Sequence, residues 1–285
     1  MSTPTWFTDA IAAPYDTSDV TVDGARVSYR AWGKPGRQAV VLVHGGAAHA
    51  GWWDHIAPFL GADHRVVSID LSGHGDSDRR PRYSLDTWAD EVLAVAAVES
   101  VGRPVIAGHS MGGFVGLTAA KLHGETLRGV VAIDSPVREV SPEAKSWLAS
   151  HSTLPPNRIY PDRETVVARF RTLPEDEAGL EYVRTHVAEQ SVHEVDGGWT
   201  WKFDPSIFLS SQMEPEELAE AGCEVALVRG ERGMATTDIT ESVAEIMGGH
   251  VPVTLVPDAG HHIMFDQPIA LISLLQTLIG QWRMP

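Results

Sequence analysis

Apolar residues fall in short, nearly unbroken runs along this chain: AVVLVHG (39–45), RVVSIDLSG (65–73), PVIAGHS (104–110), GVVAIDSP (129–136), EVALVRGE (224–231) and VPVTLVPDAG (251–260). Each is rich in valine or closes on glycine or a polar residue, which predicts strands buried on both faces of a parallel sheet. Ahead of them, VTVDGARVSYRAWG (20–33) alternates apolar and polar positions about Asp23-Gly24 and predicts a hairpin. The stretches between runs have helical spacing. In residues 84–102, Leu85, Trp88, Val92 and Val95 share one face behind a capping Ser84. Residues 112–124, 236–249 and 266–282 also read as helices. Strands alternating with helices predict an α/β fold with a mainly parallel central sheet flanked by helices.

One region breaks the rhythm. Residues 137–215 carry charges, prolines and scattered aromatics between two expected core strands. We read residues 1–136 and 216–285 as one core and 137–215 as a mostly helical cap, inserted before the penultimate core strand. An insertion there is expected over the carboxyl edge of the sheet, where open α/β folds bind ligands.

Composition narrows the function. With 43% hydrophobic and 21% charged residues in 285, the chain can bury a large core. Its formal net charge of -16 argues against a nucleic-acid surface, which needs cations to replace counterions. It argues less strongly against an anionic substrate, because a local basic pocket can override the average. Cys223, the only cysteine, can form no internal disulfide and reads as a small buried hydrophobe. The opening MSTPTWFTDAIAAPYD lacks a basic start followed by an apolar stretch, and no apolar run is long enough for a bilayer. A cytoplasmic protein with no membrane partner is expected. The histidines lack metal-ligand spacing and there is no Walker A sequence, so no metal and no cofactor are expected.

The most informative stretch is VIAGHSMGGFVG (105–116), where an apolar run ends in Gly108-His109-Ser110-Met111-Gly112 and a helix begins. This is G-x-S-x-G in a strand–turn–helix context. A sharp turn strains its central residue and brings backbones close, so side chains at the flanking glycines would clash. Ser110 then stands at a helix N-terminus, where free amides and the dipole favour developing negative charge. A plain turn serine is the competing reading.

With HGGAAHAGWW (44–53), DLSGHGDSD (70–78), GHSMGG (108–113), the Asp of VVAIDSP and DAGHHIMFDQP (258–268) in that order, the chain resembles the α/β-hydrolase fold family, specifically its esterase-type serine hydrolases. The resemblance covers most of the chain and implies a Ser–acid–His triad, with Ser110 as nucleophile and His261 as base. It also implies an oxyanion hole from the amides of Gly46 and Met111. The acid departs from the commonest pattern. Relatives carry an Asp three residues past a glycine after the penultimate strand; here Gly233 stands in that place, in Gly230-Glu231-Arg232-Gly233. Asp134 at the end of the strand after the nucleophile helix is favoured, with Glu231 the alternative. Asp238 reads as a helix cap, His44 and His109 as side chains holding backbone, and Asp70, Gly73, Gly75 and Ser77 as a structural turn.

Trp52, Trp147, Trp199, Trp201 and Met264, with Phe170 and Phe203, are candidates to line an apolar pocket, against the alternative that they pack their own segments. The expected activity is hydrolysis of a small apolar carboxylic ester through an acyl-enzyme. A thioesterase, lactonase or C–C bond hydrolase would use the same residues. A receptor of this fold with little turnover is the alternative of another class. The sequence leaves the oligomeric state open.

Overall fold

The computed structural model describes residues 3–175, 179–210 and 212–282. A short helix α1 (Thr5–Ile11) precedes the strands β1 (Asp16–Val22) and β2 (Ala25–Trp32). These pair antiparallel about Asp23-Gly24, both at positive φ (45° and 79°), as a two-residue hairpin turn requires. The core continues through β3 (Ala39–Val43), α2 (Ala57–Leu60), β4 (Arg65–Ile69), α3 (Leu85–Glu99), β5 (Val105–His109), α4 (Met111–His123) and β6 (Gly129–Ile133). An insertion follows: α5 (Pro142–Ser150), α6 (Arg163–Val167), α7 (Glu181–Gln190), β7 (Val192–Val195) and β8 (Gly198–Trp201). The core resumes with β9 (Glu224–Gly230), α8 (Thr237–Ile246), β10 (Val253–Val256), α9 (Ile263–Asp266) and α10 (Pro268–Gln281).

The strands form one eight-stranded sheet, ordered β1-β2-β4-β3-β5-β6-β9-β10, parallel from β4 to β10. Every expected core run forms a strand. Neighbouring residues of β3 explain the unbroken apolar pattern: Val41 and Val43 join the cluster under α3 and α4, while Val40 and Leu42 join the one under α2 and α10. Ser84 does cap α3, accepting a hydrogen bond from the Thr87 amide at 3.1 Å.

The insertion is not all helix. β7 and β8 pair antiparallel across Asp196-Gly197, and β8 also bridges Tyr160 through Trp199. The alternation in VHEV followed by Asp-Gly carries that hairpin signal. Backbone hydrogen bonds seat the insertion on core loops: Asp204 N to Gly73 O (2.8 Å), Gly75 N to Lys202 O (2.7 Å) and Leu180 N to Phe265 O (2.9 Å). A buried polar knot adds to them. Asp54 takes Arg30 at 2.7 Å, and from α7 it takes His186 at 3.0 Å and Gln190 at 2.9 Å. The exception is α5, which has no buried residue and leaves Trp147 48% exposed. Among the described residues no helix is long and apolar enough to cross a membrane.

Candidate active site

Parallel strands deliver their C-terminal ends to one edge, and four of those ends converge. Ser110 follows β5, Asp134 follows β6, His261 lies beyond β10, and Gly46 lies in the loop after β3. Ser110 is held at φ 53°, ψ -118°, a region L-residues avoid at a cost on the order of 1–3 kcal/mol. Its amide donates to Ile133 O at 2.8 Å, and its carbonyl accepts from Gly113 N at 2.9 Å. The glycines around it are there for space. A Cβ on Gly108 would fall 2.0 Å from Gly112 O, and one on Gly112 would fall 2.4 Å from Val43 O.

His261 Nε2 lies 3.0 Å from Ser110 Oγ, and His261 Nδ1 lies 2.6 Å from Asp134 Oδ2. An ionised carboxylate only accepts, so Nδ1 carries the proton and the Nε2 lone pair faces the serine hydroxyl. That hydroxyl can therefore donate to the imidazole. Asp134 has no exposed surface, and its charge is satisfied by the Gly230 amide (3.1 Å), the Met234 amide (2.7 Å) and His261. Gly233 makes room for it: a Cβ there would lie 2.0 Å from Asp134 Oδ1. Glu231 is exposed and turned away, accepting the Asp258 amide at 2.9 Å.

A cavity of about 240 Å³ opens on Ser110 and His261, with Gly46 and Met111 in its wall. Met111 begins α4, so its amide has no partner one turn earlier in the helix. A Cβ on Gly46 would come 3.9 Å from Met111 Sδ, so the two residues flank one spot. A second cavity of about 180 Å³ also touches Gly46 and is lined by Trp52, Phe170, Trp201 and Phe203. Trp147 lines an outer cavity under α5. Trp199 is committed to the pairing with Tyr160, and Met264 is buried in the core; neither lines these three cavities. Leu173, Pro174, Phe208 and Gln212 also line the serine cavity; Phe208 lies in a single 3₁₀ turn (Pro205–Leu209) and the others in irregular segments.

The buried histidines beside the site hold structure. His44 donates from Nδ1 to Gly45 O (2.7 Å) and accepts the Leu71 amide at Nε2 (3.1 Å); burial pushes its pKa down to about 4. His109 donates to His261 O at 2.9 Å, pinning the backbone that carries the imidazole, and burial holds its pKa well below the ordinary value. His262 reaches Pro174 O at 3.2 Å, and burial lowers its pKa to about 3. His109, His261 and His262 can bring one ring nitrogen each within 4.8 Å of one another. Both nitrogens of His261 are engaged, so an ion there would have to displace Ser110 or Asp134.

A second Ser–His contact, His49 Nε2 to Ser191 Oγ at 2.9 Å, has the opposite polarity. Gly51 N donates to His49 Nδ1, so Nε2 is the protonated nitrogen and donates to Ser191, whose own hydroxyl donates to Val187 O at 2.7 Å. It ties the loop after β3 to the insertion and has no base facing a hydroxyl proton. The turn at 70–78 is structural as well. Asp70 accepts the amides of Ala50 (2.6 Å) and Asp76 (3.0 Å), and Ser77 Oγ donates to Asp70 O (2.6 Å). Cys223 is half-buried, and burial pushes its thiol up to about 11. Asp238 lies in the first turn of α8 and accepts from the Thr236 hydroxyl at 2.5 Å.

A parallel sheet of this order, with a hydroxyl, imidazole and carboxylate in line at its carboxyl edge, defines a hydrolase. The chain belongs to the alpha/beta hydrolase family, whose model matches residues 40–274. It is 27% identical to a 3-hydroxybutyrate-oligomer hydrolase of Cupriavidus necator, over 90% of this chain and 93% of that one. It is 25% identical to an esterase of Mycobacterium tuberculosis, over 90% and 88%. Among solved structures it is similar to a thioesterase domain from the curacin biosynthetic pathway (TM-score 0.79, 21% identity, 92% and 99% covered). It is equally similar to an E-2-(acetamidomethylene)succinate hydrolase (TM-score 0.79, 20% identity, 94% and 100% covered).

Proposed function

We propose that this chain is a serine esterase that cleaves a carboxylic ester through an acyl-enzyme, with residues 137–215 as a cap over the site. The observation that carries this is the hydrogen-bonded line from Ser110 Oγ through His261 to Asp134, opening on a cavity. In this reading Ser110 attacks the ester carbonyl as His261 Nε2 takes its proton. Asp134 fixes the tautomer and stabilises the imidazolium. The amides of Gly46 and Met111 receive the oxyanion; one such donor is typically worth about 3–4 kcal/mol of transition-state stabilisation. His261 returns the proton to the departing alcohol, then activates water to release the acid. The names of the two curated relatives, an oligomer hydrolase and an esterase, support an ester bond as the target. The apolar lining from Phe114, Leu173 and Phe208 suits an aliphatic or aromatic group beside it.

The test is steady-state hydrolysis of 4-nitrophenyl butyrate. The wild type should turn over, and Ser110→Ala should lose activity by at least a factor of about 10⁴. A Ser110→Ala protein as active as the wild type would refute the assignment.

A further inference from the structure

The serine cavity does not end at the catalytic groups. At about 240 Å³ it is smaller than the roughly 300–1,000 Å³ of ordinary small-molecule sites. It adjoins the outer cavity of about 480 Å³ beneath α5, and the two share Arg138, Phe208 and Gln212. A substrate arm longer than the inner cavity and directed into this outer one passes Arg138. One wall of that route is α5, a helix with no buried residue, through Ala144, Trp147 and Leu148.

Arg138 is one of the arginines of this acid-rich chain that hold no ion pair among the described residues. Arg26, Arg30, Arg65, Arg80 and Arg171 each meet a carboxylate within 3.5 Å. No ion pair to Arg138 occurs among the described residues. Its backbone is fixed, with its amide donating to Met213 O at 3.3 Å. Of the nearby acids, Glu214 is taken by Lys145 at 2.6 Å, and Glu139 lines only the outer cavity. Arg138 and Gln212, both exposed, thus stand at the junction of the two cavities, with Phe114, Leu173 and Phe208 in the same inner wall. A guanidinium fork matches a carboxylate with two parallel hydrogen bonds.

We propose that Arg138 is an anion-binding subsite, selecting esters whose distal arm ends in a carboxylate. This rests on the esterase reading and deepens it. The overall charge of -16 disfavours such substrates at long range, and Arg138 supplies the local exception.

Two substrate series test it. One carries the carboxylate on the acyl side: 4-nitrophenyl monoesters of glutaric, adipic and suberic acids, each against its methyl-capped neutral counterpart. The other carries it on the alcohol side: 4-carboxyphenyl butyrate against its methyl-capped form. In at least one series kcat/KM should favour the acid by roughly five- to tenfold, the strength of one charge-assisted contact. Arg138→Gln should abolish that preference while leaving the neutral esters within about twofold of wild type, and Arg138→Lys should restore part of it. The proposal is overturned if neither series prefers the acid, or if the preference survives Arg138→Gln. Both outcomes leave Ser110-dependent turnover of neutral esters intact, so they are distinct from a failure of the esterase reading.

Discussion

Gly233 is packed against Asp134 so closely that a Cβ on the glycine would sit 2.0 Å from the carboxylate oxygen and 2.6 Å from its carbon. The position where relatives carry an acid is empty here, and the carboxylate of the neighbouring strand end fills the space. Gly233→Ala should therefore push Asp134 off His261. We expect kcat to fall by roughly 10²–10³ with KM little changed, since orientation of the base acts in the transition state. Stopped-time kinetics beside circular dichroism, to verify the fold, would check this.

Asp134→Asn should lower kcat by a factor on the order of 10⁴, because an amide favours the wrong imidazole tautomer. Glu231→Gln should stay within about threefold of wild type, since Glu231 only accepts the Asp258 amide. Measuring both with one ester decides between the two carboxylates. The reverse ranking would move the acid to Glu231.

Stability should reveal the strain at the serine. At φ 53°, ψ -118°, alanine is as strained as serine, while glycine is not. Relief of about 1–3 kcal/mol outweighs the roughly 0.4–1 kcal/mol that glycine costs through the unfolded chain. Ser110→Gly should therefore be more stable than Ser110→Ala by about 1 kcal/mol in urea titrations. Equal midpoints would mean the turn is unstrained.

Buried histidines should make the fold acid-sensitive. His44 and His55 have pKa values lowered to about 4 and His262 to about 3, while His49, His74 and His109 are also held well below the ordinary 6.5, all chiefly by burial. The unfolded chain takes up protons on these rings from about pH 6.5 downward, and the folded chain does not. Their stabilising contribution is present above pH 6.5 and is lost as pH falls towards 4. Asp70, raised to about 6 by burial, and Glu91, also raised by burial, work in the opposite sense, as two carboxyls against several imidazoles. Melting temperature should fall steeply between pH 6.5 and 4, with net proton uptake on unfolding. A flat profile would contradict these burial effects.

Much of this molecule is legible in its residues because burial on both faces writes valine-rich runs, and β3 with β6 need little more than that pattern. Ser110 is legible because its turn demands Gly108 and Gly112. The proposed acid is not, because Asp134 and Glu231 both follow strand ends, and only the three-dimensional packing puts Asp134 against His261 and leaves Glu231 on the Asp258 amide. The cavity wall is the least legible part. Leu173 and Gln212 come from irregular segments and Phe208 from a single 3₁₀ turn, and Trp199, chemically as plausible as Trp201, lies outside the cavity that Trp201 lines.

The central claim is that one hydroxyl, and not its counterpart at Ser191, faces a free imidazole lone pair. Labelling the folded protein with a fluorophosphonate and locating the adduct by peptide mass spectrometry tests it most directly. We predict a single adduct on Ser110, lost in Ser110→Ala, slowed at least a hundredfold in Asp134→Asn and unaffected by Ser191→Ala. An adduct on Ser191, or none on Ser110 in folded protein, would contradict the account.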